Sequence, residues 1–255
     1  MSIVRIGFLG AGLAFVAPSV YAQSFVEQAM EHRYQLDFHV NDAALQKMLP
    51  AGWEPQVAAM GPAKDANLRV IFIDRVGIMG QDGKPLPHGQ TQMVYIAIPV
   101  KQANGPGAGQ MIIDGMTKDA ADAPGAFGTY RQAATAKMTR SVDSSGGAAL
   151  VTEDWDFAAA GGEHLQVHVK YERAPATKGG GEVKFYNPAD PSKYQLFKTE
   201  QAIDITRNAT TNPPDHVKEF SYKAGGGRIA ALFDGKEKVL SWDSFPWYMR
   251  TVSNP

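Results

Sequence analysis

Apolar and polar residues alternate with a period of two along most of this chain, and that alternation commits it to strands more firmly than any other feature. Tyr34, Leu36, Phe38 and Val40 interleave with Gln35, Asp37 and His39, the signature of a half-buried strand. The same reading gives strands over Leu68–Val76, Gln92–Val100, Gln110–Met116, Arg131–Val142, Ala149–Phe157, His164–Arg173, Tyr194–Thr206, His216–Tyr222, Arg228–Phe233 and Lys238–Ser241. Asp234-Gly235 supplies residues that tolerate positive φ, so the last two are expected to close as a hairpin. Helical spacing is confined to Asp42–Met48, opened by Asn41 as a capping residue, and to a short segment after Asp119. Glycine clusters at Gly105–Gly109, Gly146–Gly147, Gly179–Gly181 and Gly225–Gly227 read as turns or loops rather than interdomain linkers. So many antiparallel strands must hide their edges, either by closing into a barrel or by stacking as two sheets, and composition does not choose between the two.

The N-terminus has a charged start at Arg5, a largely apolar run from Ile6 to Val20 and the small-residue ending Val20-Tyr21-Ala22, which together read as a cleaved export signal over residues 1–22. Gly7, Gly10, Gly12 and Pro18 interrupt the run, which falls short of the roughly 20 apolar residues a spanning helix needs. Cleavage after Ala22 takes 22 residues from the 255 and leaves 233, expected to form a single domain over 23–255 in the periplasm or outside the cell, with no membrane association in the mature form. With no cysteine, such a chain has neither disulfides nor thiolate metal sites and is held by packing. Lys plus Arg number 25 against 26 Asp plus Glu, so the electrostatic footprint of a nucleic-acid or anionic-lipid partner is missing. No phosphate-cradling loop, G-x-S-x-G elbow or H-E-x-x-H helix occurs.

Three blocks in order resemble a known family. They are the strand and short helix from Tyr34 to Met48 running into Leu49-Pro50-Ala51-Gly52-Trp53-Glu54-Pro55; the strand ending in Ile98-Pro99-Val100; and the segment Ala123–Gln132. Their order and spacing are similar to those of the acetoacetate decarboxylase superfamily, and the likeness spans most of the mature chain. The resemblance implies an α+β, mostly β fold: an antiparallel cone-shaped β-barrel with a few short helices, enclosing a small, largely apolar pocket.

The resemblance also implies what is missing. The family's Schiff-base lysine falls on Arg131, the lysine after it on Gln132, and the proline before it on Tyr130. Its active-site glutamate falls on Met93, with Gln92 the nearest polar residue, and its N-terminal arginine falls near Glu31, or on Arg33 after a two-residue slip. A guanidinium stays protonated and forms no imine. The implied ligand-binding set is therefore Arg131, Tyr130, Gln132, Gln92, Met93 and Arg33, with no catalytic residue, cofactor or metal assigned, a small organic acid or ketone as partner, and self-association left open. Lys137 is a poor replacement amine, about 20 Å further along an extended strand at ~3.3 Å per residue.

Other constellations have plain readings. His164, Gln166, His168, Lys170 and Glu172 form one face of a strand whose other face is Leu165, Val167, Val169 and Tyr171, a solvent face opposite a core face. The two histidines sit about 13 Å apart, too far for one metal ion. Glu153, Asp154 and Asp156 read as a charged strand face. Trp242, Phe245, Trp247 and Tyr248 read as an aromatic plug at one barrel end, with pocket lining as the alternative. Asn208-Ala209-Thr210 matches a glycosylation sequon, which matters only in a eukaryotic secretory route. Two functions remain: an exported barrel that binds a small apolar or keto-carboxylic acid without Schiff-base chemistry, or a lyase of decarboxylase, aldolase or hydratase type that works without an imine.

Overall fold

The computed structural model describes residues 23–86, 90–121, 123–209 and 215–255, so the export signal and the last residue of the sequon lie outside the described residues. The alternating segments become thirteen strands: β1 Ser24–His39, β2 Trp53–Pro55, β3 Leu68–Met79, β4 Thr91–Gln102, β5 Ala108–Thr117, β6 Arg131–Gln132, β7 Thr135–Asp143, β8 Leu150–Ala158, β9 His164–Glu172, β10 Thr177–Asn187, β11 Asp190–Asn208, β12 Val217–Gly225 and β13 Lys238–Asn254. The only α-helix among the described residues, α1 Asp42–Gln46, starts where Asn41 Oδ1 accepts from the Ala44 amide at 3.0 Å.

Nine strands form one sheet in the order β2-β4-β3-β1-β13-β11-β10-β5-β6, and β4 also pairs with β5, which closes seven of them into a ring. Closure is thinnest where β5 meets β10 through two parallel pairs, Phe185↔Gln110 and Tyr186↔Met111. A side chain at Gly109 would run into the Lys184 carbonyl, so glycine is what lets the two strands meet there. The remaining strands form a four-stranded sheet, β12-β9-β8-β7.

Period two then sorts the core. Tyr34, Leu36, Phe38, Val70, Phe72 and Val94 leave the outer face of the barrel and pack on Trp155, Phe157, Leu165, Val167 and Tyr171 of the small sheet. The intervening residues Ile71, Ile73, Met93, Tyr95, Phe185, Phe197 and Val252 point the other way and fill part of the barrel. β9 divides as its sequence implies, with Leu165, Val167, Val169 and Tyr171 buried and the His164-to-Glu172 face partly exposed.

Several elements differ from expectation. Arg131–Val142 is two strands in two sheets, because Ala133 and Ala134 carry the chain from β5 across to β8, and Lys137 consequently lies on the small sheet. The Gly179–Gly181 run lies inside β10 rather than in a loop, where a side chain at Gly180 would strike the Thr199 carbonyl. The terminal hairpin does not form: Gly226 and Gly227 adopt positive φ, a 3-10 turn covers Gly227–Ile229, and Ile229, Leu232 and Phe233 bury together at i, i+3 and i+4. The segment after Asp119 is a turn, followed by a 3-10 turn at Ala126–Gly128. The C-terminal aromatics belong to a 17-residue strand, with Trp247 exposed and Phe245 and Tyr248 inside the barrel.

Candidate functional site

A belt of charge crosses the barrel interior. On β1 the inward residues are Glu31, Arg33, Gln35 and Asp37, and β3 and β13 add Arg75 and Arg250. Arg33 Nε donates to Glu31 Oε2 at 2.6 Å, and its guanidinium lies 3.5 Å from the centre of the Tyr248 ring. Arg75 and Arg250 both donate to Glu27 Oε1, at 2.6 and 2.8 Å, and Arg250 also reaches Glu31 Oε1 at 3.1 Å. Burial pushes the Glu31 carboxyl up, yet Arg250, Arg33 and Arg75 outweigh it and hold the group below its usual range. Three guanidiniums thus face two carboxylates, which leaves one positive charge uncompensated in a nearly buried setting.

The belt separates two openings. The wide chamber holds about 370 Å³ and is walled by Arg33, Tyr95 and Tyr248 at the belt, Ile71, Val183 and Phe185 on its apolar side, and Gln35, Asp37, Arg69 and Asp243 on its polar side. The narrow recess, about 170 Å³, is lined by Met93, Tyr130, Phe197, Arg75 and Arg250. Burial raises the phenol pKa of both Tyr95 and Tyr130, so each enters the belt as a neutral hydroxyl. Tyr130 stacks on Tyr95 with ring centres 5.9 Å apart. A side chain at Gly115 or Gly125 would occupy the Tyr130 ring, so these glycines make its seat.

Of the residues expected from the sequence, Arg33, Met93 and Tyr130 come together around the belt. Arg33 and Glu31 both point inward, and the two-residue ambiguity in the family's arginine position corresponds to one ion pair. Arg131 does not join them. It follows Tyr130 and so faces the other way, where its guanidinium binds Asp114 Oδ1 at 2.8 Å and Glu163 Oε2 at 2.9 Å and ties β6 to the turn before β9. Gln132 donates to the Lys118 carbonyl, and Gln92 donates to Asp74 Oδ1, both away from the two openings. No lysine lines either opening among the described residues.

Two features were not visible as sites in the sequence. The first is Asp243, buried in the wide chamber wall beside Asp37. Gln35 Nε2 donates to Asp37 Oδ2 and Arg69 Nε lies 3.0 Å from its Oδ1, whereas Asp243 receives the Ser241 hydroxyl at 2.6 Å. Burial, and then the neighbouring Asp37 charge, push Asp243 up to about 8. The second is Glu153, which belongs not to a charged strand face but to the core between the sheets. Its oxygens meet His32 Nε2 at 3.0 Å, the Trp155 indole at 3.0 Å, the Tyr171 hydroxyl at 3.1 Å and Arg140 at 3.4 Å. The parity of Trp155 and Phe157, two and four residues on, is the signal that could have placed Glu153 inward.

Neither a protein-family model nor a curated protein matches the sequence. Among solved structures, the chain is similar to the enduracididine biosynthesis enzyme MppR complexed with pyruvate, at 13% identity and a TM-score of 0.57, with 98% of this chain and 96% of that one covered. It is also similar to an acetoacetate decarboxylase-like enzyme from Sphingomonas wittichii RW1, at 14% identity, a TM-score of 0.55 and coverage of 96% and 98%. MppR complexed with the condensation product of pyruvate and imidazole 4-carboxaldehyde aligns at 12% identity with a TM-score of 0.53, covering 98% of this chain and 95% of that one. With its strands closed into a ring and these alignments running nearly end to end, the chain has the acetoacetate decarboxylase-like fold.

Proposed function

We propose that this protein is an exported barrel that binds a short organic acid, a 2-keto acid by preference, in the wide chamber and without a covalent bond. The belt supports this reading. Arg33 is engaged by Glu31 through Nε and Nη2, and its Nη1, with only the Tyr95 hydroxyl at 3.5 Å, lies with Tyr95 and Tyr248 on the wide chamber wall. Behind it stands a belt whose three guanidiniums outnumber its two carboxylates and so favour an anion. The chamber's 370 Å³ falls in the range of about 300–1,000 Å³ usual for small-molecule pockets, and its walls mix apolar surface with a few polar groups as such pockets do. A fold neighbour was solved with pyruvate, which makes a three-carbon keto acid the first ligand to try. The role expected of Arg131 passes to Arg33 in this reading.

Calorimetric titration with pyruvate and with acetoacetate tests it, alongside borohydride reduction and intact mass. Binding without a mass adduct is the expected result. Arg33→Lys keeps the charge that Glu31 needs but loses the two-pronged donor, so it should weaken binding at least about tenfold. Absence of binding by the unaltered protein rejects the reading, and a reduced adduct on any lysine rejects its non-covalent part. Export rests on the Arg5-to-Ala22 pattern, and a mature N-terminus at Gln23 in the exported fraction is its test.

A further inference from the structure

The wide chamber holds more acid–base chemistry than capture of an anion requires. Asp37 and Asp243 share its wall, on neighbouring strands, with Arg69 as the guanidinium beside them. Arg69 lies against Asp37, so Asp243 is the carboxyl left with only a serine hydroxyl. In the antiparallel register Gln35 faces Asp243 and Arg33 faces Phe245, so Asp243 is the diagonal neighbour of Arg33 on the adjacent strand, about 7–8 Å away between backbone positions. Both side chains line the one chamber, where a short acid with one end hydrogen-bonded to the guanidinium can present its other end to a carboxyl oxygen.

We propose that the wide chamber is a proton-transfer site in which Asp243 exchanges a proton with the carbon next to the ketone of a short 2-keto acid while Arg33 holds the acid's carboxylate. This rests on the binding reading above and adds a reaction to it. Ionised Asp243 takes the proton; the C–H electron pair becomes the new C=C bond as the carbonyl π pair moves to oxygen, giving an enolate and a neutral Asp243 carboxyl. The enolate oxygen develops its charge beside the Arg33 guanidinium and the neutral Tyr95 hydroxyl, groups already fixed in place. Return of the proton regenerates the keto acid, so no oxidant, reductant or second substrate is consumed. In deuterated water the proton on Asp243 exchanges through the open mouth and a deuteron returns.

The groups that face Asp243 set its readiness. Asp37 on β1 repels its charge, Arg69 on β3 attracts it, Asp204 on β11 repels it from behind the wall, and Ser241 on its own strand donates to it. Their sum leaves both protonation states populated near neutral pH, as an acid–base group requires.

The experiment uses the full chain in deuterated water with pyruvate, following loss of the methyl proton signal by NMR against a protein-free blank, with affinity measured in parallel by calorimetry. The expected result is accelerated exchange that survives borohydride treatment. Asp243→Asn should then lose at least about 100-fold in exchange rate while pyruvate affinity stays within about threefold. Binding without exchange in the unaltered protein overturns the proton-transfer inference and leaves the binding reading standing; no binding overturns both. Exchange that persists in Asp243→Asn removes Asp243 from the reaction. Should that variant fail to fold, Asp37→Asn decides: loss of the neighbouring charge should move the acid limb of the exchange profile to lower pH, and an unmoved profile overturns the proposal.

Discussion

Glu153 and Asp243 are hidden to nearly the same depth, 0% and 5% exposed, on opposite sides of the barrel wall, yet their surroundings drive them in opposite directions. They are close in connectivity too: Ser244, the residue after Asp243, bonds the Tyr171 hydroxyl, which in turn donates to Glu153. Burial pushes the Glu153 carboxyl up, but His32, Arg140 and the Trp155 indole outweigh it and hold the group below its usual range. Asp243 has one hydroxyl donor and a second carboxylate across the strand, and it rises. Burial alone therefore says nothing about role. A carboxylate supplied with donors on every side knits two sheets together, whereas one denied them beside a cavity is kept ready to trade a proton.

The largest way to break this contrast is Glu153→Ala. It strands the Trp155 N–H and His32 in the core, leaves the Tyr171 hydroxyl with Ser244 alone and opens a void, so it should cost about 3–5 kcal/mol in a urea titration. A loss below about 1 kcal/mol would deny Glu153 its structural role. The pH dependence carries the same sign argument. Because the folded pKa of Glu153 lies below its unfolded value near 4.5, its contribution is present above that pH and disappears as the pH falls through the folded value.

Asp243 gives the opposite slope. Its folded pKa of about 8 exceeds the unfolded value near 3.8, so its contribution is full below pH 3.8 and is lost as the pH rises through 8. Replacing it with Asn should flatten the decline of stability across that window by up to about 1.4 kcal/mol per pH unit, the limit for one proton. Parallel stability–pH curves for the two proteins would show that Asp243 does not titrate as its surroundings dictate.

Much of this arrangement could be read from the residues. Alternation gave most strands, whereas the barrel, which composition left open, was implied by the family resemblance that the Leu49–Pro55 turn and Ile98-Pro99-Val100 carry. What escaped depended on chain partners far away in sequence. Arg228–Phe233 alternates loosely, but three consecutive positive-φ glycines and burial at i, i+3, i+4 turn it into a helical corner. The site was half legible for the same reason. Arg33, Met93 and Tyr130 share an interior because strand parity puts them there, but that parity holds Arg131 outside, and no local signal pairs Asp37 with Asp243 across β1 and β13.

A smaller test addresses how the interior is kept shaped. Gly125 has φ of 74° and lies against the Tyr130 ring, so Gly125→Ala both strains the backbone and displaces the tyrosine. A cost of about 1–3 kcal/mol is expected, with a lower affinity for pyruvate if Tyr130 no longer backs Tyr95. Full stability in this variant would mean that Tyr130 has other seats.

The smallest effect is expected where the sequence pointed first. Arg131 is about one-third exposed and joins Asp114 and Glu163, both of which keep other partners: Gly115 N and Arg228 for Asp114, Arg228 N for Glu163. The guanidinium is partly in water and the two buried carboxylates keep those donors, so Arg131→Gln, which still offers them an N–H, should cost about 1 kcal/mol. It should leave pyruvate affinity unchanged where Arg33→Lys reduces it, because of these two arginines Arg33 alone lines the chamber. If instead the two substitutions weaken binding alike, the ligand approaches from the Asp114–Glu163 side of β5, and the belt acts as a structural clamp rather than as the receptor for the acid.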